Sequence, residues 1–449
     1  MDVLRPVVRP YAWGSRHAIA ELQGRPVPAP GPEAELWMGG HPATPSGLDR
    51  DAQSTTLDKV IAADPQAELG AACVARFGPR LPFLLKVLSA DMALSIQVHP
   101  SRAQAQAGFR AESERGLAPG DPGRNYVDDW PKPELLYALA PFEVLAGLRP
   151  PADAAAFLDS LSVDQLRPLA TQLAAASSVP ASLLPPASSA PPDPSAAPAS
   201  SAPSTSSAPS DGVMASVLGT ILDWPADGRA ALVAEVAAAC ARLALADGPY
   251  AEPAAAAVRT AADHPGDIGV VASLLLRHAV LAPGQAMFVP AGGLHAYLKG
   301  TGIELLANSD NVVRAGLTAK HLDVPELLTL LDPSVAVPVL SPQRLADGIT
   351  WFDTPAPEFR LYVIELTGDA LTLPGQGPRI VLCTEGAATL CTEPADSKPI
   401  ELGRGGSCFI AAADGPVRAA GRASLFLASP GELQLTRPSV VGRRVALNS

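Results

Sequence analysis

At 449 residues the chain exceeds what one hydrophobic core ordinarily serves, so two or three domains are expected. A net charge of −12 and the lack of any Lys/Arg-rich block exclude nucleic acid as the main partner. No leader pattern opens the chain, no apolar run is long enough to span a bilayer, and five scattered cysteines form no Cys-x-x-Cys pair, so a cytoplasmic protein without a membrane partner or disulfide framework is expected.

Along residues 1–150, short apolar runs at 83–87, 93–98 and 135–140 are broken by glycine and proline, the pattern of a β-rich layer structure. From 151 to 265 the character changes to alanine-rich helix. Phe157, Leu158 and Leu161 recur at helical spacing, as do Val217, Leu218, Ile221 and Leu222, then Leu232, Val233, Val236, Cys240 and Leu243. Inside this block, 177–212 is almost wholly Pro, Ala and Ser, with almost nothing large to bury, so a disordered surface insertion is expected there.

Strands are expected again over 268–281, so the helical block interrupts a β domain instead of following it. Further β-type runs fall at 359–366, 379–383, 388–391, 408–412 and 424–428. Cys383 and Cys391 sit at a spacing that would let them face each other across a hairpin, and are read as small buried hydrophobes. One internal similarity stands out. Leu281-x-x-Gly284-x-x-x-Phe288-Val289-x-Ala291 matches Leu402-x-x-Gly405-x-x-x-Phe409-Ile410-x-Ala412 at a constant offset, which implies the same strand entry in two related sandwich domains. At that offset His295 corresponds to Pro416, and no histidine follows His321, so the second copy has the shell without a metal.

The residues able to hold a metal lie far apart in sequence. In Leu94-Ser95-Ile96-Gln97-Val98-His99-Pro100, strand alternation puts Gln97 and His99 on one face and Ile96 and Val98 on the other. The Gly284-x5-Pro290-x-Gly292-x2-His295 stretch is similar to the second motif of cupin barrels and delivers His295 at a turn. With Glu134 the set becomes Gln97, His99, Glu134 and His295; two imidazoles and a carboxylate suit zinc, and an amide oxygen is an unusual fourth donor. The usual first cupin motif is absent, and Gln97-x-His99 stands in its place.

Seven blocks together resemble the type I phosphomannose isomerases, a zinc-dependent family. They are Tyr11-Ala12-Trp13-Gly14, Ala34-Glu35-Leu36-Trp37-Met38-Gly39, Pro82-Phe83-Leu84-Leu85-Lys86-Val87-Leu88, the Gln97 segment itself, Lys132-Pro133-Glu134, Pro141-Phe142-Glu143, and Ser309-Asp310-Asn311-Val312-Val313-Arg314-Ala315-Gly316-Leu317-Thr318. The resemblance implies one zinc per chain on Gln97, His99, Glu134 and His295, an active-site arginine at Arg314, and interconversion of mannose 6-phosphate and fructose 6-phosphate, feeding GDP-mannose metabolism. Three departures from the family pattern stand out: Trp130-Pro131 where many members carry Asn-His, Lys299 in place of the cupin motif's final Asn, and the Pro/Ala/Ser insertion.

The expected architecture is mainly β with an inserted α-helical domain. Two cupin-like jelly-roll sandwiches are expected: a catalytic one from 1–150 and 266–335, interrupted by the helical domain 151–265, and a metal-free one at 336–449. The chemistry needs a base near the metal, for which Glu304 is a candidate, and Lys132 joins Arg314 and Glu304 in the catalytic set. Phosphate needs cations and hydroxyls, and of only six lysines Lys86, Lys132 and Lys320 fall in or beside the matched blocks. Ser95 adds a hydroxyl, and Trp13 and Tyr297 are candidates for lining a sugar pocket. His17, His41, His264 and His278 show no ligand-like spacing and are assigned structural or surface roles. A monomer acting on a hexose 6-phosphate is expected; the competing readings are an iron cupin oxygenase and a non-catalytic sugar-binding cupin.

Overall fold

A computed structural model describes the chain except for residues 51, 119, 178–208, 394–397 and 432–449. Most of the expected Pro/Ala/Ser insertion therefore lies outside the described residues. Its flanks are helical: Ser177 closes the helix Arg167–Ser177, and the next helix spans Pro209–Leu222.

Among the described residues, two large antiparallel sheets carry the molecule, beside a two-stranded pair of Gly47–Arg50 and Gln53–Thr56. The first has eleven strands, with His295–Ala307 at its centre between Glu134–Ala138 and Phe83–Ala90. That strand changes partners along its length. From Gly302 to Leu306 it pairs with Glu134–Ala138, whereas its opening residues His295–Lys299 pair with Phe142–Leu148. Gly300 makes the change possible: its φ is +145°, and a Cβ there would lie 2.7 Å from the Phe142 ring.

The second sheet has nine strands built around Arg379–Thr392 and Val417–Ser429. Cys383 and Cys391 lie on one and the same strand, not across a hairpin, and all five cysteines are free. The sheet takes in the first strand of the chain: Asp2–Leu4 pairs with Ser407–Ile410, and the Met1 amine meets Asp414 at 2.8 Å. Conversely, Val339–Leu340 pairs with Ala286–Val289 in the first sheet. The two copies of the internal similarity are the matching strands Ala286–Val289 and Ser407–Ile410, each entered from a glycine of positive φ, Gly284 (+90°) and Gly405 (+78°).

Among the described residues, six α-helices, from Pro151–Ser160 to Gly269–Ser273, lie in sequence between Phe142–Leu148 and Leu276–Leu281, two strands that pair with each other. The apolar run after Ile268 therefore opens as a short buried helix and becomes strand only at Leu276. Buried apolar stretches of that length carry no periodicity to separate the two states. The helical residues Leu218, Val236 and Ala257 share a core with Ile96, Val98, Val313 and Ala315, so the helices back the strands that carry Gln97 and Arg314. Helices also occur where a β layer was expected, at Leu57–Ala63, Pro65–Leu69, Ala71–Phe77 and Arg102–Glu114. Arg102–Glu114 buries only Ala105 and Glu112 and starts from a Ser101/Gln104 capping box.

Candidate metal centre and substrate pocket

Glu134 and His295 each open a strand, while His99 follows the two-residue strand Gln97–Val98, which stops short of the expected run through His99; the three converge so that their ligand atoms lie within 4.8 Å of one another, all three buried. The strand registers cause this: His295 sits opposite Gln97, two residues before His99, while Glu134 opens the strand beside Leu306. His99 Nδ1 donates to the Asn311 carbonyl at 2.8 Å, and His295 Nδ1 to the Gly293 carbonyl at 3.2 Å. Each ring's proton is thereby placed on Nδ1, and Nε2 is left as a lone pair.

Both Nε2 atoms are buried without a hydrogen-bond partner, and each lies 3.3 Å from a different Glu134 oxygen. Two lone pairs facing a carboxylate repel it unless a cation lies among them, so the donor set fits a divalent ion of the zinc type. Protonation keeps to the same pattern. Burial pushes His99 down to about 4, which leaves it neutral near pH 7. Burial also works to raise the Glu134 carboxyl, but the Lys132 ammonium, with Nζ 3.0 Å from Glu134 Oε1, is the chief influence against it, and Glu134 is held well below the usual carboxylate range.

The other expected site residues fall into distinct surroundings. Gln97 is half-buried, with His295 opposite it on one neighbouring strand and Arg314 on the other. Tyr297 is fully buried and donates to Glu134 Oε2 at 3.3 Å, which makes it a support for the carboxylate and leaves it no surface to offer a sugar. Lys86 is buried between Glu304 at 3.2 Å and Glu35 at 3.4 Å and lies 4.9 Å from the Trp37 ring centre. Burial alone would lower its pKa, but the carboxylates raise it, so the lysine stays charged and fully matched. Glu304 is raised by burial first, against the pull of Lys86. Trp13 is half-buried and stacks on Tyr11 at 5.7 Å, and Ser95 precedes Gln97 by two residues on the same segment.

Arg314 and Lys320 differ from Lys86. Neither has a carboxylate within ion-pair distance among the described residues, and Arg314 is the chief reason that Lys320 is lowered. Burial lowers Arg314 itself. Two neighbouring cations without an ion-pair partner form a receptor for an anion.

Sequence reasoning missed three neighbours. Glu35 holds Lys86, and its strand position opposite Leu88 was inside a quoted block. Asn311 supplies the carbonyl for His99, while its side chain binds the backbone at Val127, Asp128 and Trp130. His41, read as structural or surface, is buried with Nε2 3.4 Å from Asp310 Oδ1. Only the folded chain brings that pair together.

Comparison with known proteins places this geometry. Residues 1–151 match the family described as phosphomannose isomerase type I, catalytic domain. A mannose-6-phosphate isomerase of Escherichia coli K12 is 33% identical over 428 residues, covering 95% of this chain and 98% of that protein. One from Bos taurus is 33% identical over 429 residues, covering 90% and 92%. Among solved structures, a zinc-bound mannose 6-phosphate isomerase aligns with a TM-score of 0.80 at 30% identity, over 96% of this chain and 99% of that one. A phosphomannose isomerase variant from Salmonella typhimurium aligns at 0.81 with the same identity and coverage.

Proposed function

The chain belongs to the type I phosphomannose isomerase family, and from that membership we infer that it interconverts mannose 6-phosphate and fructose 6-phosphate with the help of one zinc ion. The observation that carries this to the present chain is the pair of buried, unpartnered imidazole nitrogens converging on Glu134. We assign His99, Glu134 and His295 as metal ligands, with Gln97 as the fourth from its place between His295 and Arg314.

The reaction moves a carbonyl between C1 and C2 by taking a proton from the carbon beside it and returning a proton to its neighbour, through an enediolate. Zinc, when bound, supplies a Lewis acid that polarises the sugar oxygens. Lys132, beside Glu134, adds a fixed cation at the same place. Arg314 and Lys320 receive the anionic parts of the substrate, and Ser95 and Trp13 are placed at its margin. Glu304 is the proposed base; burial raises its affinity for protons, and it lies among Lys86, Glu134 and Tyr297. Lys86 acts through Glu304 and Glu35 instead of binding phosphate directly.

We read the architecture as two cupin-like jelly rolls with an inserted helical domain. The matched strands Ala286–Val289 and Ser407–Ile410 and the six helices between two paired strands support this. Among the described residues no helix is long and apolar enough to cross a membrane.

Elemental analysis of the purified protein, combined with a coupled assay for fructose 6-phosphate, tests the function. About one zinc per chain and turnover of mannose 6-phosphate are expected. Stoichiometric zinc with no turnover would replace this reading by the sugar-binding one, and bound iron with oxygen consumption would replace it by the oxygenase.

A further inference from the structure

Asp267 lies between the helices Ala251–Asp263 and Gly269–Ser273, and the proposed chemistry does not use it. Its Oδ1 accepts from the amides of Gly269 at 2.7 Å and Leu317 at 2.9 Å, and its Oδ2 accepts from the amide of Thr318 at 2.9 Å. The turn it holds is unusual: Gly316 has φ +116° and Leu317, which is not glycine, has φ +56°. The two segments also interlock. A Cβ on Gly316 would stand 2.5 Å from Gly269 Cα, and one on Gly269 would stand 2.5 Å from the Leu317 nitrogen.

That turn sits between Arg314 and Lys320, the two cations without an ion-pair partner among the described residues. Its upstream side is tied to the ligand-bearing segment, since Ala315 donates to the Ile96 carbonyl at 2.8 Å and Ile96 donates to the Gly316 carbonyl at 3.1 Å. On its downstream side, Thr318 and Lys320 line a cavity of about 450 Å3 together with Arg229 and Asp267. The same helix end grips the other flank of the site: Asp263 Oδ2 accepts from the Ala93 amide at 3.0 Å, and His264 Nε2 is 2.7 Å from the Ala93 carbonyl. Residues 263–267 thus hold the chain just before Ser95 and just after Arg314.

We infer that Asp267 is a positioning residue, which fixes the 315–318 turn and so sets Arg314 and Lys320 at the spacing that receives the anionic group of the substrate. The inference rests on the reading of those two cations given above. Three N–H donors on two oxygens require a group that only accepts, and a carboxylate is such a group. An amide side chain must turn an NH2 toward at least one of the three donors.

The test compares wild type, Asp267→Asn and Asp267→Ala as zinc-loaded, full-length proteins. Zinc content, Tm, kcat and KM for mannose 6-phosphate are measured, together with the Kd of inorganic phosphate by titration calorimetry. Zinc at wild-type stoichiometry is expected, with KM and the phosphate Kd rising together by about tenfold or more and kcat changing less than KM, because the displaced groups bind the substrate's charge. If Asp267→Ala does not fold, Asp267→Asn decides. Unchanged KM and phosphate Kd would overturn the inference, as would loss of turnover in step with lost zinc or a lower Tm alone. A wild-type protein with no isomerase activity would instead defeat the functional reading, and the phosphate titration would still decide the role of Asp267.

Discussion

A histidine that gives its Nδ1 proton to a backbone carbonyl has only one way left to act, as a donor of the Nε2 lone pair. His99 and His295 are both in that state, against one ionised carboxylate. His99→Ala or His295→Ala is therefore expected to lose the zinc, read by elemental analysis after dialysis; a variant that keeps one zinc per chain would remove that residue from the ligand set. Arg314 faces Gln97 across the strand pair without being a ligand, and it has no ion-pair partner among the described residues. Arg314→Ala and Arg314→Lys should both retain zinc while turnover falls by roughly a hundredfold or more, the scale for removing one preorganised electrostatic group. Lysine keeps the charge but not the planar fork. Near wild-type turnover in Arg314→Ala would make the residue structural.

Asp310 gives a pH dependence. Burial raises its carboxyl, but His41, Lys132 and Lys86 outweigh that and bring it from the ordinary 3.8 down to about 2. A carboxyl held low in the fold stabilises it fully above its unfolded value, and the contribution disappears as the pH falls from about 4 toward about 2. Removing His41 weakens that hold. The Tm difference between wild type and His41→Phe should narrow as the pH falls from about 4 toward about 2, followed by scanning calorimetry; a gap that does not change over that range would mean that His41 contributes packing alone.

At the scale of elements, the strand His295–Ala307 serves two layers by turning at Gly300. Gly300→Ala places a methyl 2.7 Å from the Phe142 ring at a φ of +145°. A loss of about 1–3 kcal/mol is expected from such backbone strain, together with weaker zinc binding, because the displaced half carries His295 and Tyr297. Gly386→Ala is the control: its Cβ would lie 2.0 Å from the Arg422 carbonyl oxygen, in the other sheet. It should lower the Tm comparably and leave zinc content and KM unchanged; equal damage to zinc binding by both would deny Gly300 a local role. The elements also show what a sequence conceals. Arg102–Glu114 has no apolar stripe to announce it, since its cap and its partners hold it, with Glu112 accepting from the amides of Asn125 and Tyr126.

Across the whole molecule, the two sheets are not independent bodies. Leu36, Phe83 and Ile303 of the first share a core with Leu361, Phe409 and Phe426 of the second, and the Tyr137 ring meets Phe426 at 5.0 Å. An ion pair links the two halves as well, from Arg102 to Glu358 at 2.6 Å. Truncation after residue 341 would leave a large apolar face open to water. The fragment 1–341 is expected to aggregate or bind hydrophobic dyes and to show no turnover; a soluble, active fragment would show that the catalytic part folds alone.

The sequence by itself determined the family and named the three residues, His99, Glu134 and His295, that the fold brings together, along with the helical stretch that follows residue 150. Those properties are written in contiguous motifs and in short-range periodicity. Tertiary structure alone decided that Lys86 is matched by Glu35 and Glu304 while Arg314 and Lys320 are not, that His41 meets Asp310, and that Asp267 braces the turn after Arg314. It also decided that Asp2–Leu4 belongs with Ser407–Ile410. Each of these joins residues distant in sequence, and which charge finds a partner depends on strand register and side-chain burial, quantities that exist only once the chain has packed.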